Sequence, residues 1–231
     1  SLSVVIPAFD EEQNIEGCLT HVLMSERPCS RWDVIVVDDQ SSDNTVKIAE
    51  QAIVAVAGAD QPGATVLQAG PRPKGERWVG KNWGCCQAME QVNSEWVLFI
   101  DADVTLAPDA IRRALHQSIN ENADLFSLAP RLTCGCLAEW MVQPIMASLL
   151  GLGFPILEAN DPASTVAFAA GPFMLFRRDS YNAIGGHRAL AGEVVEDLAL
   201  ARRIKEGGFR LRYVLGIDAV DLQMYANLQA L

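Results

Sequence analysis

The sequence predicts an α/β domain with a mostly parallel central sheet flanked by helices. Short apolar runs at Leu2–Ile6, Trp32–Val37 and Trp96–Ile100 alternate with segments of helical periodicity, which is the order that βαβ units produce. The chain has 231 residues, of which 50% are hydrophobic, so it can bury one sizeable core. We therefore predict a single domain over residues 1–231.

The elements of the first half follow one another in a regular order. Apolar residues recur at helical spacing over Glu11–Met24, and Ser41-Ser42-Asp43 supplies capping chemistry for the next helix. Further elements predicted in this half are a helix over 44–56, a strand over 65–68, a helix over 81–91, a helix over 108–120 and a strand over 124–129. In parallel sheets, ligands bind beyond the carboxyl ends of the strands, so functional residues are expected at that edge.

The second half has a less regular pattern. Trp140–Leu157 carries no charged residue and is long enough to be considered as a transmembrane helix. Its polar and helix-weakening residues are Gln143, Pro144, Gly151, Gly153 and Pro155. A core helix or a helix lying in the membrane interface fits this composition better. Beyond it we predict a strand over 167–176, helices over 178–184 and 195–206, and a final strand over 209–215.

The composition excludes several classes of protein. A formal net charge of -11 and a sequence pI of about 4.7 disfavour a nucleic-acid partner and a simple polybasic membrane anchor. The six cysteines form no Cys-x-x-Cys pair and have no histidine at zinc-site spacing, so we expect reduced thiols in a cytosolic setting. Residues 1–7 already have the pattern of a core strand, so no signal peptide is visible and flanking segments are expected to have been trimmed.

Two carboxylates follow the third apolar strand. Asp101 and Asp103 have the spacing that places side chains on one face of a strand, and a turn just past the strand end can converge them. Converging carboxylates repel each other unless a cation lies between them, and a hard divalent cation is the simplest one. The alternative is an ordinary turn, in which aspartate is common. The position at a strand end favours a metal site and a phosphorylated or nucleotide-linked substrate.

Other acidic residues are expected at the same edge of the sheet. Asp38 and Asp39 follow the second strand, where a carboxylate can accept a hydrogen bond from a base edge or a ribose hydroxyl. The alternative is that one of them caps the next helix, but Asp43 is better placed for that role. Glu11 and Glu12 open a helix, where acids are favoured by the helix dipole in any case.

A lysine occurs where a helix is predicted to begin. Lys81 follows Val79-Gly80, and a cation is unfavourable at a helix N-terminus. Residues that break a local rule tend to mark functional sites, and a bound diphosphate would correct the electrostatics. Arg72, Lys74 and Arg77 in the preceding loop either assist this lysine or are simply solvated.

A second pair of acids occurs in the second half. Glu196 and Asp197 begin a predicted helix, and in isolation they are best explained as ordinary acids of a helix N-terminus. Beside a metal-held donor, a carboxylate at this rigid position can instead remove a proton from an acceptor hydroxyl. His187 can contact substrate, although a packing or surface role is favoured.

Taken together, these motifs resemble the inverting glycosyltransferase family 2, which has the GT-A fold. The resemblance covers almost the whole chain and depends on four pieces in this order: Ser3-Val4-Val5-Ile6-Pro7-Ala8, Val36-Val37-Asp38-Asp39-Gln40-Ser41-Ser42-Asp43-Asn44-Thr45, Asp101-Ala102-Asp103 and Glu196-Asp197. It implies a nucleotide-sugar-binding half over residues 1–130 and an acceptor-side half over residues 131–231.

The resemblance also implies roles for individual residues. The substrate-binding residues that it implies, together with the strand-end and helix-start residues above, are Pro7, Ala8, Phe9, Glu11, Asp38, Asp39, Lys81, Asp101 and Ala102. Asp103, with help from Asp101, matches the ligand of Mg²⁺ or Mn²⁺. Asp197 matches the catalytic base and Glu196 supports it. The chain departs from the family at Asp10, where asparagine is usual, and only a tuned loop is expected from that change.

A narrower resemblance is to membrane-associated members near the hopanoid-, carotenoid- and ceramide-type glycosyltransferases. It depends on Trp78-Val79-Gly80-Lys81-Asn82-Trp83, Asn160-Asp161-Pro162, Gly171-Pro172-Phe173-Met174, Val195-Glu196-Asp197 and Met224-Tyr225. It implies a UDP-sugar donor, a lipid-like acceptor, flanking or interfacial membrane segments, and a location at the cytoplasmic face of a membrane.

Three alternatives remain at this point. A polysaccharide synthase would carry a Gln-x-x-Arg-Trp motif after the base, which is absent here, although the chain stops close to the position expected for that motif. A sugar-phosphate nucleotidyltransferase would carry a basic, glycine-rich loop after the first strand, whereas this loop is acidic. A binding domain without catalytic activity is disfavoured because Asp39, Asp103 and Asp197 are all present.

Overall fold

The computed structural model describes residues 1–58, 61–132 and 155–222. Its strands are β1 (Leu2–Ala8), β2 (Trp32–Asp38), β3 (Gly63–Gln68), β4 (Trp96–Ile100), β5 (Val104–Leu106), β6 (Leu125–Leu132), β7 (Phe173–Arg177) and β8 (Leu211–Leu222). Its α-helices are α1 (Ile15–Leu23), α2 (Thr45–Val56), α3 (Asn82–Met89), α4 (Ala110–Asn120), α5 (Ile156–Asn160), α6 (Arg178–Ala183) and α7 (Glu196–Glu206), and a 3-10 helix covers His187–Leu190.

The described strands form one sheet in the order β3-β2-β1-β4-β7-β6-β8-β5. The strands β3, β2, β1 and β4 run parallel to one another. All seven residues of β1 are buried, because β1 lies between β2 and β4 and is covered on both faces. A strand buried on both faces reads as a continuous apolar run, which is why the sequence predicted it well.

The other half of the sheet has mixed strand directions. β7 is antiparallel to both β4 and β6, whereas β6 and β8 are parallel. The predicted α/β class is therefore confirmed as a mixed sheet with flanking helices. The sequence did not indicate the direction of β7, because the apolar run Phe173–Phe176 has the same pattern in either direction.

Two hydrophobic clusters cover the two faces of the sheet. One contains buried residues of α1, α2 and α4, and the other contains buried residues of α3, α6 and α7. Along β1 the side chains alternate between them, with Val4 and Ile6 in the first cluster and Val5 in the second. The helices therefore hold the sheet rigidly while its carboxyl-end rim remains available for ligands.

Several predicted boundaries were wrong. The strand expected over 167–176 begins only at Phe173, because Gly171-Pro172 precedes the ladder with β4 and belongs to a turn. The final strand extends to Leu222, and the short strand β5 beside it was not predicted. The first helix begins at Ile15, since Glu11 accepts backbone bonds in the preceding turn.

The apolar segment Trp140–Leu157 lies almost entirely outside the described residues, which resume at residue 155. Its proposed core or interfacial helix therefore stays a prediction, as does the match at Met224-Tyr225. Within 1–58, 61–132 and 155–222, no helix is long and apolar enough to cross a membrane.

Candidate active site

The two aspartates of the Asp-x-Asp motif lie at the carboxyl end of β4. The five residues of β4 are buried, and the chain leaves the core at Asp101, buries Ala102 and exposes Asp103 before β5 begins. Partial loss of hydration, followed by repulsion from Asp101 and Glu11, raises the pKa of Asp103 to about 6 although its side chain keeps contact with solvent. The rim here carries surplus negative charge, which favours a cation.

Lys81 provides an internal cation at this rim. Its ammonium donates a short hydrogen bond to Asp101 Oδ1, and its Nζ lies 3.1 Å from Glu196 Oε1. Burial opposes the charge, but the attraction of the two carboxylates outweighs it and raises the pKa of Lys81. The unfavourable cation at the start of α3 is thus compensated within the protein by two carboxylates, and its contact with a diphosphate stays a prediction.

This ion pair brings the second acidic pair to the same site. Glu196 and Asp197 form the first turn of α7 and meet the end of β4 through Lys81. A Cβ atom placed on Gly171 would lie 3.4 Å from Asp197 Oδ2 and 3.5 Å from Lys81 Nζ. The structure therefore groups four predicted residues, Asp101, Lys81, Glu196 and Asp197, around one point.

Asp197 is held by backbone donors. Its Oδ2 accepts a hydrogen bond from the Gly171 N–H at 3.1 Å, and its Oδ1 accepts one from the Leu198 N–H at 2.7 Å. Burial, together with the neighbouring charge of Glu196, raises the pKa of Asp197, while the two backbone bonds and Lys81 act in the opposite direction. A raised pKa favours proton acceptance, which suits a general base.

The two aspartates after β2 have different environments. Asp38 is almost fully buried, and both its carboxylate oxygens accept a hydrogen bond from the Ser41 N–H at 3.3 Å. This carboxylate therefore stabilises the turn after β2. Asp39 is 5% exposed and pairs with Arg72, but its Oδ1 has no hydrogen-bond partner. An unpaired buried carboxylate oxygen can accept a donor from a ligand. Asp38 has no unpaired oxygen of this kind, and its contact with a ligand stays a prediction.

The loop after β1 is fixed to the loop before α2. Asp10, with a positive φ of 53°, accepts from the Ser42 N–H through Oδ1, and the Glu12 carboxylate accepts from the Asn44 N–H. The Glu11 N–H donates to Thr45 Oγ1 at 2.7 Å. Pro7 and Ala8 complete β1 opposite the end of β2, while the Phe9 ring is 59% exposed beside them. This arrangement gives the predicted pocket a rigid wall and an exposed aromatic edge.

Three residues were missed or undecided in the sequence argument. Arg72 pairs with Asp39 and also donates to the carbonyl oxygens of Trp78 and Gly80, so it links the end of β2 to the loop before α3. Gly171 meets Asp197, and the strand-breaking Gly171-Pro172 pair was the signal that a turn lay there. His187 is buried and bonds to Tyr181 at 2.6 Å, which confirms the packing role.

The donor set at the rim fits a hard divalent cation that is completed by a substrate. Among the residues that the structure describes, no group of three or more His, Cys, Asp or Glu side chains could hold a metal alone. Mg²⁺ is commonly bound through one or two carboxylates together with substrate phosphates, and Asp101 and Asp103 are two carboxylates at this strand end. The raised pKa of Asp103 shows the local potential that such a cation would relieve.

Comparison with known proteins identifies the family. The sequence model described as Glycosyl transferase family 2 matches residues 3–185, and the chain belongs to that family. The chain is 27% identical over 227 residues to a 4,4'-diaponeurosporenoate glycosyltransferase of Staphylococcus aureus (strain USA300), covering 97% of this chain and 56% of that protein. It thus spans about half the length of the curated relatives that it matches.

Solved structures share the fold. A mannosyltransferase from Pyrobaculum calidifontis, in complex with GDP-Man and Mn²⁺, superposes with a TM-score of 0.71 at 19% identity, covering 99% of this chain and 57% of that one. Staphylococcus aureus TarS 1-349 in complex with UDP-GlcNAc gives a TM-score of 0.65 at 16% identity, covering 98% and 59%. The predicted GT-A fold of a glycosyltransferase is therefore confirmed.

Proposed function

We propose that this domain transfers a sugar from a nucleotide-diphosphate sugar, with UDP as the nucleotide, to a hydroxyl group of a lipid-like acceptor. The observation that carries the proposal is the contact of Lys81 with both Asp101 and Glu196. This contact joins the strand end that would bind the donor diphosphate to the helix start that carries Asp197. Donor and acceptor chemistry would then meet at one point on the rim.

The donor would be bound by residues at the ends of β1, β2 and β4. The free Oδ1 of Asp39 would accept a hydrogen bond from the base, and the exposed Phe9 ring lies at the end of β1. Asp103, with Asp101, would hold Mg²⁺ or Mn²⁺, which supplies positive charge to the leaving diphosphate. Lys81 would add a fixed positive charge at the same place.

The acceptor would react on the side of α7. The hydroxyl proton would pass to Asp197 as the hydroxyl oxygen attacks the anomeric carbon from the face opposite the diphosphate. The bond from the anomeric carbon to the phosphate oxygen breaks in the same step, its electron pair leaves with the diphosphate, and the configuration is inverted. Glu196 would keep Lys81 in place and leave Asp197 free to accept the proton.

A lipid-like acceptor is supported by two observations. The relative from Staphylococcus aureus is named for a 4,4'-diaponeurosporenoate substrate. Val194 and Val195, directly before the acidic pair, are 69% and 56% exposed. Apolar side chains exposed beside a catalytic base suit an acceptor that is presented at the cytoplasmic face of a membrane through interfacial or flanking segments.

Calorimetric titration of the purified domain tests the donor side. UDP, GDP and their sugars would be titrated with and without Mn²⁺ into the parent protein, Asp103→Ala and Asp218→Ala. Asp218 is an exposed aspartate on β8 and serves as the matched control. We expect metal-dependent binding of UDP and UDP-sugars that is lost in Asp103→Ala and kept in the control.

The outcomes separate the donor hypotheses. Preferential binding of GDP would overturn the UDP assignment and keep the fold-based donor site. No nucleotide binding by a demonstrably folded domain would overturn the glycosyltransferase site. The acceptor is tested by incubating the protein with a radiolabelled UDP-sugar and either a lipid extract or soluble oligosaccharides. Label in the organic phase supports a lipid acceptor, and label only on oligosaccharide contradicts it.

A further inference from the structure

A buried hydroxyl binds the same peptide group whose N–H donates to Asp197. Ser127 is in the middle of β6, between Met174 of β7 and Tyr213 of β8, and its side chain is fully buried. Its Oγ accepts a hydrogen bond from the Ala170 N–H at 2.8 Å and donates one to the Ala170 carbonyl at 3.2 Å. The serine therefore forms hydrogen bonds with both the N–H and the carbonyl group of Ala170.

Ala170, the residue that Ser127 binds, is next in the chain to the residue that contacts Asp197. Ala170 precedes Gly171, whose N–H donates to Asp197 Oδ2 at 3.1 Å. The Phe173 N–H closes a turn onto the Ala170 carbonyl at 3.3 Å, so this peptide is fixed from both sides. Since Asp197 Oδ1 is held by its own helix through Leu198, the Gly171 N–H is the contact that sets the outer carboxylate oxygen.

We propose that Ser127 is a positioning residue for Asp197, acting through the peptide of Ala170 and Gly171. The proposal rests on the proposed function, in which Asp197 is the general base. Ser127 touches neither donor nor acceptor. Its contribution is to aim one backbone N–H at the carboxylate, so that the lone pair that accepts the proton has a fixed direction. A general base needs such alignment before its pKa can be useful.

The electrostatic surroundings of Asp197 give a signature of this role. The charged and titratable groups around it are Glu196 on its own helix, Lys81 at the start of α3, and Tyr213 on β8, whose pKa is raised by burial and by the charge of Asp197. The Gly171 N–H favours the ionised carboxylate. If this bond is lost, the pKa of Asp197 rises, and the acid limb of the rate profile moves to higher pH.

The test compares two buried serines. Ser127→Ala removes the hydroxyl that holds Ala170, and Ser118→Ala removes an equally buried hydroxyl that donates to the Ala114 carbonyl at 2.7 Å within α4. We expect Ser127→Ala to lower kcat about tenfold, the effect of one misaligned hydrogen bond. We expect the KM for the donor to stay unchanged. The acid limb of the pH profile of kcat should move to higher pH. Ser118→Ala should change none of these quantities.

Two further measurements keep the test decisive. Ser127→Thr retains a hydroxyl and should restore most of kcat, while Ser127→Cys, whose thiol is a weaker hydrogen-bonding group, should give an intermediate value. In a pH titration followed by amide NMR, the Gly171 resonance should report the ionisation of Asp197 in the parent protein. This dependence should be weakened in Ser127→Ala or, if that variant does not fold, in Ser127→Cys.

The outcomes distinguish this proposal from the one on which it rests. If Asp197→Asn keeps near-normal transfer, the general-base assignment is wrong whatever Ser127 does. If Asp197→Asn abolishes transfer but Ser127→Ala behaves like Ser118→Ala, the positioning role is wrong. If both single variants lose activity, the double variant should be no slower than Asp197→Asn alone, and a further loss would show that Ser127 acts by another route.

Discussion

The two halves of the sheet position their functional side chains in different ways. On the donor side, Asp39, Asp101 and Asp103 follow directly from parallel strands, and the hydrogen-bonded ladder fixes them. On the acceptor side, Asp197 begins a helix reached through an irregular stretch after α6. The donor carboxylates therefore follow paired strands, and side-chain bonds to the backbone fix the loops beside them. The acceptor residues lie outside the paired strands and depend more on side chains that bind backbone groups.

Several such side chains hold the acceptor side together. Lys205 of α7 donates to the carbonyl oxygens of Glu158, Asp161, Ser164 and Val166. Asn160 pairs with both backbone groups of Tyr213 on β8. Asn82, beside Lys81, donates to the Leu190 and Glu193 carbonyls and so ties α3 to the segment before α7. Substitutions in the two halves should consequently have different effects on stability, donor binding and turnover.

The largest effect is expected at Asp197. Asp197→Asn removes the proton acceptor without changing the shape of the side chain, so transfer should fall by roughly 10²–10⁴. Donor binding, which belongs to the other half, should be unchanged by calorimetry. Asp179→Asn, an exposed acid in the first turn of α6, is the matched control and should retain full activity. A parallel loss of donor binding would show that the two halves are not separable.

A cavity in the donor half should lower stability and leave turnover almost unchanged, which is the reverse of the effect expected at Asp197. Val4 is fully buried in β1 between Val34 and Leu98, and Val4→Ala should lower the free energy of unfolding by about 2 kcal/mol. The turnover of the folded protein should stay within about twofold of the parent, because the ladder keeps the rim in place. Urea titration gives the first quantity, and Val54→Ala, 76% exposed on α2, is the control. A large loss of turnover would contradict this separation.

Removing the lysine that organises the acceptor side should have a smaller and local effect. Lys205→Met keeps the length of the side chain but loses its donors, and we expect about 1–2 kcal/mol of destabilisation. Hydrogen exchange should rise in residues 158–166 and stay unchanged in β1 and β2. The exposed Lys47→Met on α2 is the control. Uniform exchange across the chain would argue against local organisation.

The smallest effect is a pH dependence of stability. Burial, together with the charge of Lys81, lowers the pKa of His187 from 6.5 to about 3. The unfolded chain therefore binds more protons between these values, and stability falls as pH decreases below 6.5. Between pH 7 and pH 5.5 the parent should lose about 1 kcal/mol more than His187→Gln in urea titrations. Exposed His21→Gln should keep the parental slope, and parallel curves for His187→Gln would contradict the assignment.

The donor half was largely predictable, because the relevant signals are local. The strands β1, β2 and β4 are apolar runs, acids occur directly at the ends of β2 and β4, and both features can be read along the chain. Arg72 was left undecided, because nothing local tells which of the three cations in its loop will reach Asp39. The antiparallel direction of β7 was missed because it depends on pairing with distant strands. The turn at Gly171-Pro172 had a local signal, but that pair was read as part of a strand.

The sequence by itself determined the α/β class, the order of the main elements and the identity of the acids at the rim, since periodicity and strand-end chemistry are properties of neighbouring residues. Only the tertiary structure decided that Lys81 pairs with Asp101 and Glu196, and that Ser127 reaches Asp197 through Ala170 and Gly171. These contacts join residues far apart in the chain. Their geometry follows from the packing of α3 and α7 against the sheet that contains β6, which no local pattern encodes.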